Sequence, residues 1–379
     1  MKVVDCDTHF WQPLDVWQNH IDPAWREKIK EAHSQIKPPY VAINTSVENK
    51  PGAPPPASGT AKSAKLNDWS NFQAKNEAAY KIRGGDYPDA RLEWMDQEGI
   101  DACIIYPTLA AGHAYHPDVE MATQAIRGLN RWAADFAAHA PQRLKPCFML
   151  PWHDPKRALA ELDGALKLGM RVAFSAPMPS RQHRWSDRAY DPLWKALQDN
   201  DVTMTFHDFT RIPGGHAQLA ARETYSANYM MMYLCGHTVE PQLTLMDLML
   251  GGVFNRFPKL KMVFVEAHIA WLPGWLASMD QQWARIKSVQ DISDWQDTDM
   301  TPTELFRRQG AIVAFPDDVW LNETINYVGA DNILICSDYP HPQTRYQLVQ
   351  EFASNYPALS PNVRQKILGG NATHIFGLN

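Results

Sequence analysis

No stretch of this chain approaches the ~18 consecutive apolar residues that a membrane-spanning helix needs, although hydrophobic residues make up 45% of its 379 positions. A bilayer-spanning segment is therefore not expected. Blocks of like charge are missing too: 36 Lys and Arg stand against 42 Asp and Glu, a formal net charge of −6, spread over both halves. That balance argues against nucleic acid and a polybasic membrane surface as partners. Cysteine is scarce, with five residues at 6, 103, 147, 235 and 336 and no Cys-x-x-Cys spacing. An odd number placed mostly within apolar runs reads as reduced, buried thiols rather than a disulfide framework. The start, Met1-Lys-Val-Val-Asp-Cys-Asp7, has neither the apolar core nor the small-residue cleavage site of a secretory signal, so a cytoplasmic location is expected. Nor does a Gly-x-Gly-x-x-Gly loop follow the first β-like run, where a dinucleotide-binding sheet would carry it; Asp7-Thr-His9 stands there instead.

What recurs along the chain is a short apolar or β-branched run followed by a helical stretch. Eight runs are legible: Lys2–Asp7, Ala102–Tyr106, Lys145–Leu150, Arg171–Ser175, Val202–His207, Lys261–Glu266, Ala311–Phe315 and Ile333–Ser337. Amphipathic segments at Asp118–Ala138, Pro155–Leu168, Asp191–Asp199 and Asp317–Val328 separate some of them, opening on Asp or Pro as helix starts do. Alternation of this kind implies an α/β fold with a parallel sheet under helices, and eight repeats are the number that closes a (β/α)8 TIM barrel. The expected unit is one domain over residues 1–379. Two stretches interrupt the rhythm: residues 19–90, with Pro51-Gly-Ala-Pro-Pro-Pro inside them, and residues 208–240, rich in Gly, Tyr and Met. They read as insertions after strands 1 and 5, candidates for lids over a site or for oligomer contacts.

Oxygen and nitrogen ligands gather at the ends of the runs. Asp7 and His9 close the first, His207 the fifth, Glu266 and His268 follow the sixth, and Asp338 follows the eighth. In a closed barrel these ends meet at one mouth. Carboxylates gathered there without a cation would cost several kcal/mol in desolvation and repulsion, so the joint pattern points to a divalent metal site. Each piece also has a plain structural reading, His207 as a hydrogen-bonded core histidine and Asp338-Tyr-Pro-His341 as a turn. His237 precedes a helix and is a candidate to reach the mouth. His113 and His116 read as part of a solvated loop. Trp11, Trp271 and Trp275 are candidates for an apolar pocket wall, whereas Trp132, Trp194 and Trp283 sit at core spacing.

Six segments together resemble a known family. They are Asp7-Thr-His9-Phe-Trp-Gln-Pro, Arg91-Leu-Glu-Trp-Met-Asp-Gln-Glu-Gly-Ile-Asp, Gly251-Gly-Val-Phe-Asn-Arg-Phe-Pro-Lys-Leu-Lys, Glu266-Ala-His-Ile-Ala-Trp-Leu-Pro, Ser337-Asp-Tyr-Pro-His, and Ile367-Leu-Gly-Gly-Asn-Ala-Thr-His-Ile-Phe-Gly. The set is similar to the amidohydrolase-2 branch of the amidohydrolase superfamily, which includes aminocarboxymuconate-semialdehyde and γ-resorcylate decarboxylases. The resemblance implies a distorted barrel with a divalent metal held by Asp7, His9, His207 and Asp338, zinc first and manganese or iron next. It also implies catalysis by Asp338 with His268 or His237. Two departures stand out. Gln12 occupies the place where many relatives carry glutamate, and His268 lies one residue nearer the Leu-Pro than the decarboxylases' histidine.

Three functions follow. The first is a metal-dependent hydrolase or decarboxylase of a small carboxylate-bearing or cyclic substrate. The second is an oxygen-activating monooxygenase of the N-hydroxylase type, with His237, Glu266 and His268 holding a second iron or manganese ion. The third is a metal-binding partner subunit of an active paralogue. A homodimer is the expected assembly, with Met230-Met-Met-Tyr and the N-terminal insertion as contacts. Arg181, Arg184 and Arg211 cannot be assigned to a substrate carboxylate from sequence.

Overall fold

The computed structural model describes residues 2–12, 14–35, 81–108, 110–180, 183–208, 229–286 and 299–378. Its eight strands coincide with the eight apolar runs: β1 (Val4–Phe10), β2 (Ala102–Pro107), β3 (Leu144–Phe148), β4 (Val172–Ser175), β5 (Thr203–His207), β6 (Met262–Val265), β7 (Gly310–Ala314) and β8 (Ile333–Ile335). Each pairs in parallel with its sequence neighbour. The ring closes where Thr8 bridges Tyr339, with His9 N donating to Tyr339 O (2.6 Å) and Asp338 N to Asp7 O (2.9 Å). The result is the α/β barrel expected from the alternation.

Strand residues divide by parity. Val4, Ile104, Phe174, Val263, Val313 and Leu334 form one buried cluster that fills the barrel. Cys103, Ile105, Phe148, Met204, Phe264 and Ile312 belong to the second and larger cluster, which includes the helices. Burial on both faces explains why the strands read as continuous apolar runs without polar alternation. All five cysteines are free, four of them buried and Cys235 half-buried. Cys6 and Cys336, each one or two residues before a candidate ligand, read from sequence as facing the helices; both instead lie in the interior cluster. For Cys336 ordinary alternation suffices, since Leu334 and Asp338 share its parity. Cys6 likewise keeps the parity of Val4. The bulge beside it, where Asp5 pairs with Cys103 and Thr8 with Ile105 so that three steps of β1 face two of β2, shifts the parity and lets Asp7 and His9 face inward as well.

Helix starts follow their caps. Val119–Ala137 begins where the Asp118 carboxylate accepts from Glu120 N and Met121 N, and Pro155–Lys167 where Asp154 accepts from Arg157 N. Asp191–Asp199 matches its expected span. The segment expected to be helical from Asp317 becomes so only at Leu321, because Asp318 spends its carboxylate on Phe315 N (3.0 Å) in a turn. Of the two candidate insertions, residues 36–80 and 209–228 lie outside the described residues; Arg26–Gln35 is helical, and helix resumes at Tyr229. Among the described residues no helix is long and apolar enough to cross a membrane.

Candidate metal centre

The β1 bulge re-aims the strand so that both Asp7 and His9 turn toward the barrel axis at its C-terminal end. His207 ends β5 with the parity of Thr205, opposite to the outward Met204 and Phe206. Glu266 and Asp338 leave β6 and β8 with left-handed backbone, φ 47° and 61°. Gln12 (φ 50°) and His268 (φ 53°) share that conformation, so four of the six described non-glycine residues with positive φ ring this mouth. Such residues cost ~1–3 kcal/mol each and persist where surrounding contacts over-determine them.

The side chains form a continuous row. His341 Nδ1 lies 2.6 Å from Asp338 Oδ1, which is 3.3 Å from His9 Nε2, itself 3.1 Å from Asp7 Oδ1. On the other side Asp7 Oδ2 is 3.6 Å from His207 Nε2, and Glu266 Oε2 stands 3.4 Å from His207 Nε2 and 3.2 Å from His237 Nε2. All are buried. Yet both oxygens of Asp7, both of Asp338, and His9 Nε2 make no hydrogen bond. Atoms this near without alignment are placed as ligands are, toward a shared centre rather than toward one another. The outer nitrogens are engaged: His9 Nδ1 with Thr108 Oγ1 (3.0 Å) and His207 Nδ1 with the Asp208 carbonyl (2.8 Å), which turns each Nε2 inward. Among the described residues two groups of three have ligand atoms within 4.8 Å of one another, Asp7 with His9 and His207, and His9 with Asp338 and His341. Carboxylate oxygens and imidazole nitrogens without thiolate suit zinc, manganese or iron(II).

The electrostatics of the cluster suit a bound cation. Burial, reinforced by Glu266 and Asp7, drives the Asp338 carboxyl well above its ordinary range, and burial also raises Asp7. Burial pushes His9 well down, leaving the neutral imidazole that ligation requires. For His207 burial is outweighed by Asp7 and Glu266, which carry it up to about 10; His237 is likewise raised by Glu266 against its burial. Glu266 overcomes burial through His237 and His207 and is held well below the usual carboxylate range. Positive charge on His207 and His237 thus offsets the buried carboxylates, a role that a divalent ion held by these residues would share.

Other expected residues sit elsewhere. His268 is half-buried at the rim, its ring 5.9 Å from Tyr233 and 6.5 Å from Phe315, outside both ligand groups. His113, expected in a solvated loop, is buried instead: its Nε2 lies 3.0 Å from His33 Nδ1, and its ring packs edge-on to Trp17. The helix Arg26–Gln35, which carries His33 over that loop, was not legible as its cover. His116 is half-buried and accepts from Asp118 N. Trp11 is buried with its ring 5.2 Å from His341, while Trp271 and Trp275 are half-buried with their indole N–H groups on Ala267 O and Gln242 O. Trp132 and Trp194 are core, and Trp283 packs half-buried against it. Arg184 is exposed beside Asp187; Arg181 and Arg211 lie outside the described residues.

Sequence reasoning missed His341, Gln343, Tyr233 and Thr108. Gln343 Nε2 and the Tyr233 hydroxyl both donate to Glu266 Oε1, at 2.7 and 2.9 Å, and so aim Oε2 at the two histidines. The only available signal was position: His341 and Gln343 closely follow Asp338 in a Pro-rich turn that reads equally well as structural.

Among curated proteins, a γ-resorcylate decarboxylase from Polaromonas sp. is 28% identical over 315 residues, covering 78% of this chain and 88% of that one. Among solved structures, a 5-carboxyvanillate decarboxylase from Sphingomonas paucimobilis superposes with TM-score 0.70 at 19% identity, over 100% of this chain and 99% of that one. A dihydroxybenzoic acid decarboxylase from Polaromonas sp., solved with bound manganese and the inhibitor 2-nitroresorcinol, superposes with TM-score 0.64 at 18% identity, over 100% and 97%. The family model described as amidohydrolase matches residues 4–378, and the chain therefore belongs to the amidohydrolase family.

Proposed function

We propose that this protein is a metal-dependent decarboxylase of a small ring-bearing carboxylate. The observation that carries the reading is the convergence of Asp7, His9, His207 and Asp338, with buried ligand atoms of Asp7, His9 and Asp338 making no hydrogen bond. The decarboxylases among its relatives favour loss of CO2 over hydrolysis, and the manganese bound to one of them makes that ion the first to test, ahead of the zinc suggested by the ligand types. A divalent ion held by these four residues would supply positive charge for the substrate's carboxylate or ring oxygen and for negative charge developing on the ring.

The chain's own groups do the rest. Decarboxylation breaks a carbon–carboxylate bond, leaves the electron pair on carbon and requires one proton there. Asp338, whose carboxyl burial beside Glu266 and Asp7 disposes to take up a proton, is the group placed to deliver one to that carbon. His237, whose charged form Glu266 favours against burial, faces the same space and can anchor a substrate oxygen. Burial of the cluster keeps bulk water away from the carbanion-like carbon.

The test joins metal analysis to product analysis. Purified protein loaded with manganese or zinc is incubated in D2O with 2,6-dihydroxybenzoate, 5-carboxyvanillate and related hydroxybenzoates. CO2 release with one deuterium at the vacated carbon is the expected result. A protein that holds no divalent ion, or that hydrolyses cyclic amides while releasing no CO2, overturns the reading. A second reading, two-metal oxygen activation, is favoured by one observation: Glu266 Oε2 lies within 3.4 Å of both His207 Nε2 and His237 Nε2, so N and O donors continue past the first group. Two iron or manganese ions per chain would support it.

A further inference from the structure

His9 is the ligand candidate common to both groups of three, and its outer nitrogen rests on Thr108. Thr108 is in turn gripped at its backbone, where its N–H donates to Gln12 Oε1 at 2.9 Å. Gln12 is buried and holds φ 50°, a conformation that L side chains avoid. Three contacts over-determine this exit from β1. Gln12 N donates to Asp86 Oδ1 (3.2 Å), Trp11 N donates to Gly85 O (3.2 Å), and the buried Arg91 guanidinium donates to the His9 carbonyl. Gly85 has no room for a side chain there, since a Cβ would meet Trp11 Cδ1 at 2.2 Å. Strained backbone at a side chain used for one directed hydrogen bond is the pattern of a positioned functional group.

We infer that Gln12 and Thr108 are positioning residues that set the tautomer and orientation of His9. Gln12 fixes Thr108, and the Thr108 hydroxyl oxygen accepts a hydrogen bond from His9 Nδ1–H, leaving the Nε2 lone pair directed at the ligand cluster. The amide at position 12 is then no lost ligand. Its carbonyl oxygen is already taken by Thr108, and a carboxylate at the same place would accept the same bond. The inference rests on the metal-site reading of the proposed function, and it assigns this pair to holding a first ligand rather than to contact with ion or substrate.

The test reads the ligand directly and the ion separately. In metal-free protein labelled with 15N-histidine, His9 should show the Nδ1–H tautomer, and Thr108→Val should redistribute it while Thr108→Ser preserves it. By chelator competition, Thr108→Val and Gln12→Met should each weaken manganese or zinc binding about ten- to a hundredfold, the range for groups supporting a metal ligand. Thr108→Ser and Gln12→Glu should stay within about threefold of the parent chain. The melting temperature of the metal-free variants checks folding. Folded Thr108→Val that binds the ion as tightly as the parent, or a His9 tautomer that does not respond, overturns the inference while leaving the metal site standing. A parent chain that binds no ion overturns both.

Discussion

Ser337 donates its backbone N–H to Asp5 Oδ1 over 3.0 Å and its hydroxyl to Asp5 Oδ2, tying the last strand to the first across 332 positions of sequence. The tie lies just beneath the site, because Asp7 and Asp338 each follow one of the partners closely. Burial raises the Asp5 carboxyl to about 7, so near neutrality it is close to half protonated and an amide should replace it well. Asp5→Asn should keep fold and metal. Asp5→Leu leaves Ser337 N–H and hydroxyl unsatisfied in a fully buried place and should cost about 2–4 kcal/mol of stability and loosen the ion. Denaturant unfolding of both variants, with metal content, checks this; equal stabilities would refute the tie's importance.

Asp338 presents the opposite balance. Two neighbouring carboxylates and full burial make its charge unfavourable in the metal-free chain. Asp338→Asn should therefore raise the stability of metal-free protein by about 1–3 kcal/mol while lowering turnover at least a hundredfold. Calorimetry without metal, beside activity with saturating metal, measures both. Retained turnover would remove Asp338 from proton delivery.

How much of this could be read beforehand follows from the range of each signal. The barrel was legible because a strand buried on both faces shows as an apolar run, and His207 and Asp338 were legible because they end such runs. Glu266 and His268 were equally visible as residue types, but positive φ at both positions decides where they point, and that depends on the loop after β6. Only the first lies in the ligand row. The β1 bulge escaped because a single extra residue leaves no mark on composition. Gln343 and Tyr233 escaped because their role is to hold Glu266, a contact that spans 77 positions for the glutamine.

Glu266 is the hinge between the one-ion and two-ion readings. Removing its charge leaves His237 and His207 with less opposing charge, and both should lose protons more readily. If one ion binds at Asp7, His9, His207 and Asp338, Glu266→Gln should leave stoichiometry at one and reduce kcat about a hundredfold or more. If two bind, the variant should drop from two ions to one. Tyr233→Phe and Gln343→Leu, which only aim the carboxylate, should each lose about tenfold. Mass-spectrometric metal counting with steady-state kinetics separates the cases.

His113 predicts a pH dependence away from the site. Burial, then His33 and His116, push this imidazole down to about 3, so in the folded chain it stays neutral where an unfolded histidine, at its ordinary 6.5, takes up a proton. The unfolded state thus binds more protons between these values, and stability rises with pH across the window, or falls as the solution is acidified from about 6.5 toward 3. From pH 6.5 to 5 the contribution is about 2 kcal/mol. His113→Gln keeps a hydrogen-bonding group against His33 without the titration. It should be less stable than the parent at pH 7.5 through lost packing on Trp17, with the gap closing as pH falls to 5. Urea unfolding of both proteins at half-unit steps measures the difference directly, and cancels the carboxylates that titrate in each. A gap that is constant with pH would show that His113 titrates in the folded protein as it does in the unfolded one.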